Sequence, residues 1–251
     1  MNTFKLTSLL AVVMMLTACA QHIQTSSGRS YLDKYDHLEN KAVEKGKAES
    51  VNQLVRKAAM VEPTLTFPAR IGIARIDRGY LTSIPDAEIE FWEESRKNIG
   101  YKLGEFVPVS PLITTMAVSS VGVDDKTIDV VSQIRIGAAR QHMDAVLIYE
   151  VYSRENSSSN GLSIGDLTII GAYLLPSKSV ETQGYANALL IDVVQGYPYG
   201  TAEASLEKSE LASTVGRYDK MQELSKEIKT EVTAKLVKQV EEMFKDLILV
   251  L

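Results

Sequence analysis

The chain is 251 residues long and carries 27 basic and 32 acidic side chains, so its formal net charge at pH 7 is −5. This acidic balance argues against a nucleic-acid-binding protein, because such proteins present a basic surface to phosphates. The single cysteine excludes an intramolecular disulfide, and the length is enough for one packed domain with appendages.

The first 18 residues have the layout of a signal peptide: a short polar start with Lys5, an apolar run at 9–16 and small residues before Cys19. The run is shorter than the roughly 20 apolar residues that span a bilayer. The tetrapeptide Leu16-Thr17-Ala18-Cys19 resembles the lipobox of bacterial lipoproteins. This resemblance implies cleavage between Ala18 and Cys19 and acylation of Cys19 with fatty chains such as palmitate. An ordinary secretory signal with a chance cysteine is the alternative.

The residue after the cysteine bears on which membrane holds the protein. Two or three acyl chains anchor a protein durably, so the rest of the chain can be a soluble periplasmic body. Enterobacterial lipoproteins that are retained in the inner membrane carry Asp at this position, whereas this chain has Ala20. We therefore expect the periplasmic face of the outer membrane. Inner-membrane retention stays open, because the sorting rule varies between bacteria.

Residues 19–62 are predicted to be a lipidated tether followed by a polar helix. Residues 21–30 are rich in Ser, Thr and Gly and are typical of a disordered linker. Residues 32–60 favour a helix that is broken around Gly46, and Pro63 begins an extended segment.

The first half of the predicted core, 63–210, alternates strands and helices. Residues 69–76 alternate apolar side chains with small or charged ones, which is typical of a strand. Asp86, after Pro85, can cap a helix that ends near Gly100. Three further elements follow: an edge strand at 106–109, a helix from about 126 to 143 and a strand at 144–152. Together they predict two β-α-β steps.

The second half of the core is predicted to be an antiparallel meander. A Ser-rich and Asn-rich loop at 155–161 is followed by strand patterns at 167–175, 186–194 and 201–205. A Gly/Pro turn before the last of these carries Tyr197 and Tyr199, which we predict to be exposed partner contacts. The whole pattern predicts an α+β fold with a mixed sheet.

Residues 211–251 predict a long C-terminal amphipathic helix. Its apolar residues recur in steps of three or four, with Lys and Glu interleaved on the other face. The favoured interpretation is a helix packed on the domain's own sheet, and a partner-binding or self-associating helix is the alternative. The apolar positions are Tyr218, Met221, Leu224, Ile228, Val232, Leu236, Val240, Met243 and Leu247.

Four segments together resemble the rhombotarget lipoprotein family of Gram-negative bacteria, whose biochemical function is not established. The resemblance covers about residues 60–210, and Thr168-Ile169-Ile170-Gly171-Ala172-Tyr173 is its most specific part. The chain has no C-terminal Gly-Gly, apolar helix and basic tail, so the resemblance does not extend to processing by rhombosortase. The segments are 63–74, 143–149, 168–176 and 190–194.

More distantly, the order of elements is similar to periplasmic domains of the curli export lipoprotein, the Lpo-type activators of peptidoglycan synthases and TolB. That similarity implies a domain that presents surfaces to protein partners. An oligomeric export component like the curli channel is a less favoured alternative, because we expect no clear pair of long strands with one lipid-facing apolar side across 153–183.

One segment suggests catalysis. Gly161-Leu162-Ser163-Ile164-Gly165 matches the G-x-S-x-G pattern of serine hydrolases. The pattern requires a strand before the serine and a helix after it, whereas a polar loop precedes Ser163 and a predicted strand follows. A hydrolase that uses Ser163 is therefore the alternative function. No catalytic, metal-binding or cofactor-binding residue is predicted otherwise, since no pair of histidines has ligand spacing.

The sequence thus predicts a signal peptide at 1–18, a tether at 19–62, a core at 63–210 and a packed helix at 211–251. The expected function is that of a non-enzymatic lipoprotein, anchored to the lipid bilayer through acylated Cys19, that binds another envelope protein or associates with itself. Nucleic acid is not an expected partner.

Overall fold

The computed structural model describes residues 21–35, 51–122, 128–159, 178–212 and 217–251. Within these ranges the chain forms a seven-stranded mixed sheet and six helices, which confirms the α+β prediction. In chain order they are β1 (Gln21–Ile23), α1 (Gly28–Asp33), α2 (Val51–Ala59), β2 (Ala69–Asp77), β3 (Tyr80–Thr82), α3 (Asp86–Ile99), β4 (Gly104–Pro108), α4 (Pro111–Ser120), α5 (Val130–Arg140), β5 (Ala145–Ser159), β6 (Lys178–Asp192), β7 (Pro198–Ala212) and α6 (Arg217–Val250).

The sheet has the order β1-β7-β6-β5-β2-β3, and β4 also pairs with β2. β2 is parallel to both β5 and β4, so that Ile71 lies opposite Ala145 on one side and Phe106 on the other. Both predicted β-α-β steps are therefore confirmed. β4 lies at the edge, as expected for a strand whose Pro108 has no N–H to donate.

β5, β6 and β7, each 15 residues long, form an antiparallel meander. β1 and β3 also pair antiparallel, with β7 and β2 respectively. β5 and β6 remain paired from Ala145 opposite Asp192 to Ser159 opposite Lys178. The prediction that 153–183 lacks a pair of long strands with one lipid-facing apolar side is therefore wrong about the strands, because both continue past the core as a ribbon. Its second half, the absence of an apolar side, stays a prediction, since the side chains of 155–159 and 178–181 are outside the described residues. The strand predicted at 167–175 lies outside the described residues.

Each face of the sheet carries its own hydrophobic cluster. On the first face, alternate residues of β5 and β6, such as Leu147 and Leu190, pack under α3 and α6. The rings of Trp92, Phe106 and Phe244 lie in the same cluster. On the second face, a smaller cluster forms under α5. Its buried members are Ala74, Ile76, Val109, Ile134, Ala138, Met143, Val146, Ile148, Ile191 and Val193.

α6 packs on the domain's own sheet, as the sequence favoured. Its 34 residues correspond to about 51 Å of helix. Seven of the predicted inward positions are fully buried, whereas Tyr218 is exposed, contrary to the prediction. They are Leu224, Ile228, Val232, Leu236, Val240, Met243 and Leu247. In the part of the chain that the structure describes, no helix combines the length and apolar character that crossing a membrane requires.

The starts of two helices differ from the prediction, and a third helix was missed. The residue that caps α3 is Pro85, which makes no side-chain capping bond, so Asp86 is the first helical residue and not the cap. α5 begins only at Val130, because Asp129 accepts a hydrogen bond from the Ser132 N–H at 2.9 Å and fixes the start there. Helix α4 was not predicted at all.

Candidate functional site

The segment that follows the predicted lipidation site is bound to the edge of the sheet. β1 pairs with β7, so that Gln21 lies opposite Ala202 and Ile23 opposite Gly200. The Gln24 N–H then donates to the Tyr199 carbonyl oxygen at 2.8 Å. The prediction of a disordered linker at 21–30 is therefore wrong, since backbone pairing and α1 order this segment.

The position of β1 limits where an anchor can lie. Cys19 and Ala18 are outside the described residues. However, Cys19 is two residues from Gln21, and an extended chain spans at most about 3.5 Å per residue. β1, at the edge of the sheet, therefore begins within a short stretch of chain from the predicted acylation site.

α1 is fixed by close contacts with the segment after α2. The Ser27 hydroxyl caps α1 by accepting from the Ser30 N–H, and the Arg29 N–H donates to Glu62 Oε1 at 2.8 Å. The hydrogen bond from the Ser27 side chain, together with that from Arg29, lowers the pKa of the Glu62 carboxyl group. Gly28 is required here, because a Cβ atom would lie 1.9 Å from the Ala59 carbonyl oxygen.

Tyr197 and Tyr199 hold this segment in place from inside the domain. The prediction that they are exposed partner contacts is wrong, since their exposed fractions are 2% and 0%. The Tyr199 hydroxyl accepts hydrogen bonds from the backbone N–H groups of Thr64 and Leu65, at 2.7 and 2.6 Å. The Tyr197 hydroxyl donates to the Ser26 carbonyl oxygen at 2.8 Å. Burial raises the pKa of Tyr199, so the phenol stays protonated.

Asp192 completes the same contact region. Its buried carboxylate accepts from the Thr64 hydroxyl and from the Gln195 N–H. We call Asp192, Tyr197 and Tyr199 the N-terminal clasp. The clasp connects Ser26, before α1, and Thr64 and Leu65, after α2, to the region around the turn between β6 and β7. Its role is therefore structural.

A second polar group, partly buried, lies between β2 and α3. Arg75 Nε is 3.1 Å from Glu88 Oε2, and the Tyr149 hydroxyl donates to the same oxygen at 2.6 Å. Burial raises the pKa of Tyr149, and the negative charge of Glu88 raises it further. Trp92 covers the group edge-on, with its ring centre 5.2 Å from that of Tyr149. Because Glu88 lies on α3 and its two partners lie on β2 and β5, the group attaches α3 to the sheet.

α4, which packs against α5, carries an exposed apolar surface. Ser110 caps α4, and Pro111 occupies its first turn. Thr114 packs against α5 at Gly137, where a Cβ atom would lie 2.0 Å from the Thr114 hydroxyl oxygen. On the outer side, Leu112 and Met116 are 72% and 65% exposed. We call Leu112, Ile113, Met116 and Val121 the α4 surface. A Ser-Pro pair before an apolar run is a helix-start signal that could have revealed α4.

The residues considered for catalysis do not form a site that the structure describes. Ser163 lies outside the described residues. Within the described ranges, no group of three or more His, Cys, Asp or Glu side chains could hold a metal ion.

No protein-family model and no curated protein matches the chain. Among solved structures, the chain is similar to a minor lipoprotein from Acinetobacter baumannii, with 9% identity over 71% of this chain and 91% of that one, and a TM-score of 0.37. It is similar to rare lipoprotein B from Shewanella oneidensis, with 10% identity, 71% and 98% coverage, and a TM-score of 0.34. The LpoB C-terminal domain from Salmonella enterica has 15% identity, 61% and 92% coverage, and a TM-score of 0.28. Similarity at this level assigns neither a family nor a function, so the rhombotarget resemblance stays a prediction.

Proposed function

We propose that the chain is a lipoprotein, cleaved after Ala18, acylated at Cys19 and held on the periplasmic face of the outer membrane. Its domain is a non-enzymatic module that binds a protein surface, either of another envelope protein or of a second copy of itself. The rhombotarget family is the family that its sequence favours.

The observation that carries this proposal is the pairing of β1 with β7. β1 begins two residues after the predicted acylated cysteine, so the proposed anchor is joined to the folded domain without a long linker. An acyl anchor at this point therefore orients the domain and does not leave it on a long flexible tether. The β1 edge of the sheet faces the bilayer, and the opposite edge faces the periplasm.

The α4 surface lies on that opposite side. β4, which leads into α4, is separated from β1 by β7, β6, β5 and β2. At about 4.8 Å per strand, this places β4 about 24 Å from β1 across the sheet. Apolar side chains on the periplasmic side of an anchored domain are suited to protein contacts. The proposed partner therefore meets Leu112 and Met116.

Acylation is tested by labelling cells with a palmitate analogue. The parent protein should incorporate the label, and Cys19→Ser should not, because the thioether cannot form. Ala20→Asp is the matched control for location: it should keep the label but move the protein to the inner-membrane fraction. An unlabelled parent protein, or a labelled Cys19→Ser variant, would contradict acylation at Cys19.

Protein binding is tested by placing a photoreactive amino acid at Met116 or, as a control, at Glu203, an exposed residue of β7. Irradiation of intact cells should give a discrete crosslinked product from position 116 and none from position 203. The mass of the product distinguishes a dimer of this chain from a complex with another protein. If neither position gives a product, the α4 surface is not a protein contact.

A further inference from the structure

A second exposed apolar surface lies on α1 and α2, beside the clasp. The rings of Tyr31 and Tyr35 are 5.4 Å apart, and both are exposed. On α2 and just after it, four large apolar side chains are also exposed. We call the six residues the α1–α2 surface: Tyr31, Tyr35, Val51, Leu54, Val55 and Met60.

α2 is amphipathic, but its apolar side faces outward. At 100° per residue, Val51, Leu54 and Val55 fall within an arc of about 100° on one side of the helix. No residue of α2 is buried, and Val51 is 74% exposed. Arg56 and Lys57 supply positive charge, and α2 contains no acidic residue. A nine-residue helix is marginal in water by itself, so a surface that covers this side would stabilise it.

The location of this surface identifies what covers it. α1 begins at Gly28, only nine residues after Cys19, and the clasp and β1 hold the intervening chain against the domain. The Gly28 backbone packs directly against the carbonyl oxygen of Ala59, the last residue of α2. Only a short stretch of chain, ordered from Gln21 onward, therefore separates this surface from the predicted acylation site.

We propose that the α1–α2 surface lies in the headgroup region of the membrane that holds the acyl chains of Cys19. Tyr side chains favour the membrane–water interface, since the ring is apolar and the hydroxyl is polar. An amphipathic helix of this kind places its apolar side about 5–10 Å into the boundary between headgroups and acyl chains. Arg56 and Lys57 then lie near anionic headgroups, which attract basic side chains. The inference rests on the proposed acylation of Cys19.

The experiment uses single-cysteine labels on the full acylated protein. Cys19 is the one native cysteine and its thiol is consumed in the thioether, so an added cysteine can be labelled selectively. Val55→Cys and Tyr31→Cys report on the α1–α2 surface. Tyr80→Cys is the control, because Tyr80 is 75% exposed on β3, at the end of the sheet opposite β1, and belongs to neither apolar surface. Each carries an environment-sensitive fluorophore, and the protein is reconstituted into vesicles of phosphatidylethanolamine and phosphatidylglycerol.

At positions 55 and 31, doxyl-labelled lipid should quench the fluorophore, and iodide in water should quench it several-fold less than at position 80. Equal iodide quenching at all three positions would overturn the inference. Protection from iodide without quenching by doxyl lipid would also overturn it, because a protein would then cover α2. A failure of acylation is distinguishable, since the protein would then not float with the vesicles at all.

Discussion

The two faces of the sheet differ in how many apolar side chains they bury: the face under α6 carries the larger hydrophobic cluster, and the face under α5 the smaller one. On the face under α6, Ala186, Ala188 and Leu190 of β6 are buried in succession at every second position. On the opposite face of the same strand, Ile191 is buried under α5, whereas Asn187 is exposed. From residue 186 to 190, the face of β6 under α6 is thus continuously apolar. The opposite face of β6 is apolar and buried only where α5 covers it.

β7 shows the same difference more strongly. Ala202 and Ala204 are buried on the face under α6, whereas Thr201 and Glu203 are exposed on the other. Because hydrophobic burial is the main favourable contribution to folding, the α6 side should supply most of the stability. α4 packs against α5 on this smaller side.

The largest effect is expected from Phe244→Ala in α6. Phe244 is fully buried, and its ring contacts those of Phe67 and Phe106. The substitution leaves a large cavity and should lower the free energy of unfolding by about 3–5 kcal/mol. Urea denaturation measures this value. Tyr218→Ala on the same helix is the control, because Tyr218 is exposed and its loss should change little.

Ile134→Ala tests the second face. Ile134 lies on α5 and is fully buried against the sheet, but its cluster has fewer buried members than the one under α6, so less packing depends on it. The cost should be near the lower end of the range of about 2–5 kcal/mol. The same denaturation experiment applies. A cost above that of Phe244→Ala would show that the α5 side, not the α6 side, dominates the stability.

Tyr199→Phe tests the clasp, which belongs to the α6 side through the large cluster. The backbone N–H groups of Thr64 and Leu65 would lose their acceptor, at a cost of about 1–3 kcal/mol. Hydrogen exchange should also become faster at residues 21–27 and 61–65. Tyr197→Phe removes a single donated hydrogen bond and should have a smaller effect. Unchanged exchange in Tyr199→Phe would show that the clasp does not hold the N-terminal segment.

Most of the fold could be predicted because its central elements have strong periodicity. β2 and β5 follow from alternation and apolar runs, and α6 from apolar positions spaced three and four residues apart. The three-residue strand β1 could not be predicted, since its polar sequence is ordered by pairing with β7 and not by its own side chains. The periodicity of apolar residues shows which side of one element is buried. It does not show which sheet edge a short segment such as β1 pairs with.

The candidate sites were harder to predict for the same reason. Tyr197 and Tyr199 follow Gly196, a combination typical of exposed turns, yet the docked N-terminal segment covers them. Their burial depends on chain positions more than 130 residues away, which no local pattern contains. The α4 surface was missed because the apolar run after Pro111 is short and is not amphipathic enough to suggest a helix.

The smallest effect concerns the start of α5, the helix that covers the second face. Asp129 caps α5, and hydrogen bonds from the Ser132 side chain and backbone N–H lower the pKa of its carboxyl group. The ionised form is therefore favoured in the folded state. Its stabilising contribution is complete above the ordinary Asp pKa of about 3.9 and is lost as the pH falls through the lower folded-state value. Asp129→Ala should cost about 0.5–2 kcal/mol at neutral pH.

Asp129→Asn separates the cap from the charge. Asn is also a good N-cap and does not titrate, so this variant should keep most of the stability at neutral pH. The difference between parent and Asp129→Ala, measured by urea denaturation from pH 7 to pH 3, should shrink towards acid. The corresponding difference between Asp129→Asn and Asp129→Ala should stay constant, because neither residue ionises. If the two differences changed with pH in the same way, protonation of Asp129 would not explain the loss of stability in acid. The cap would then stabilise α5 through its geometry alone.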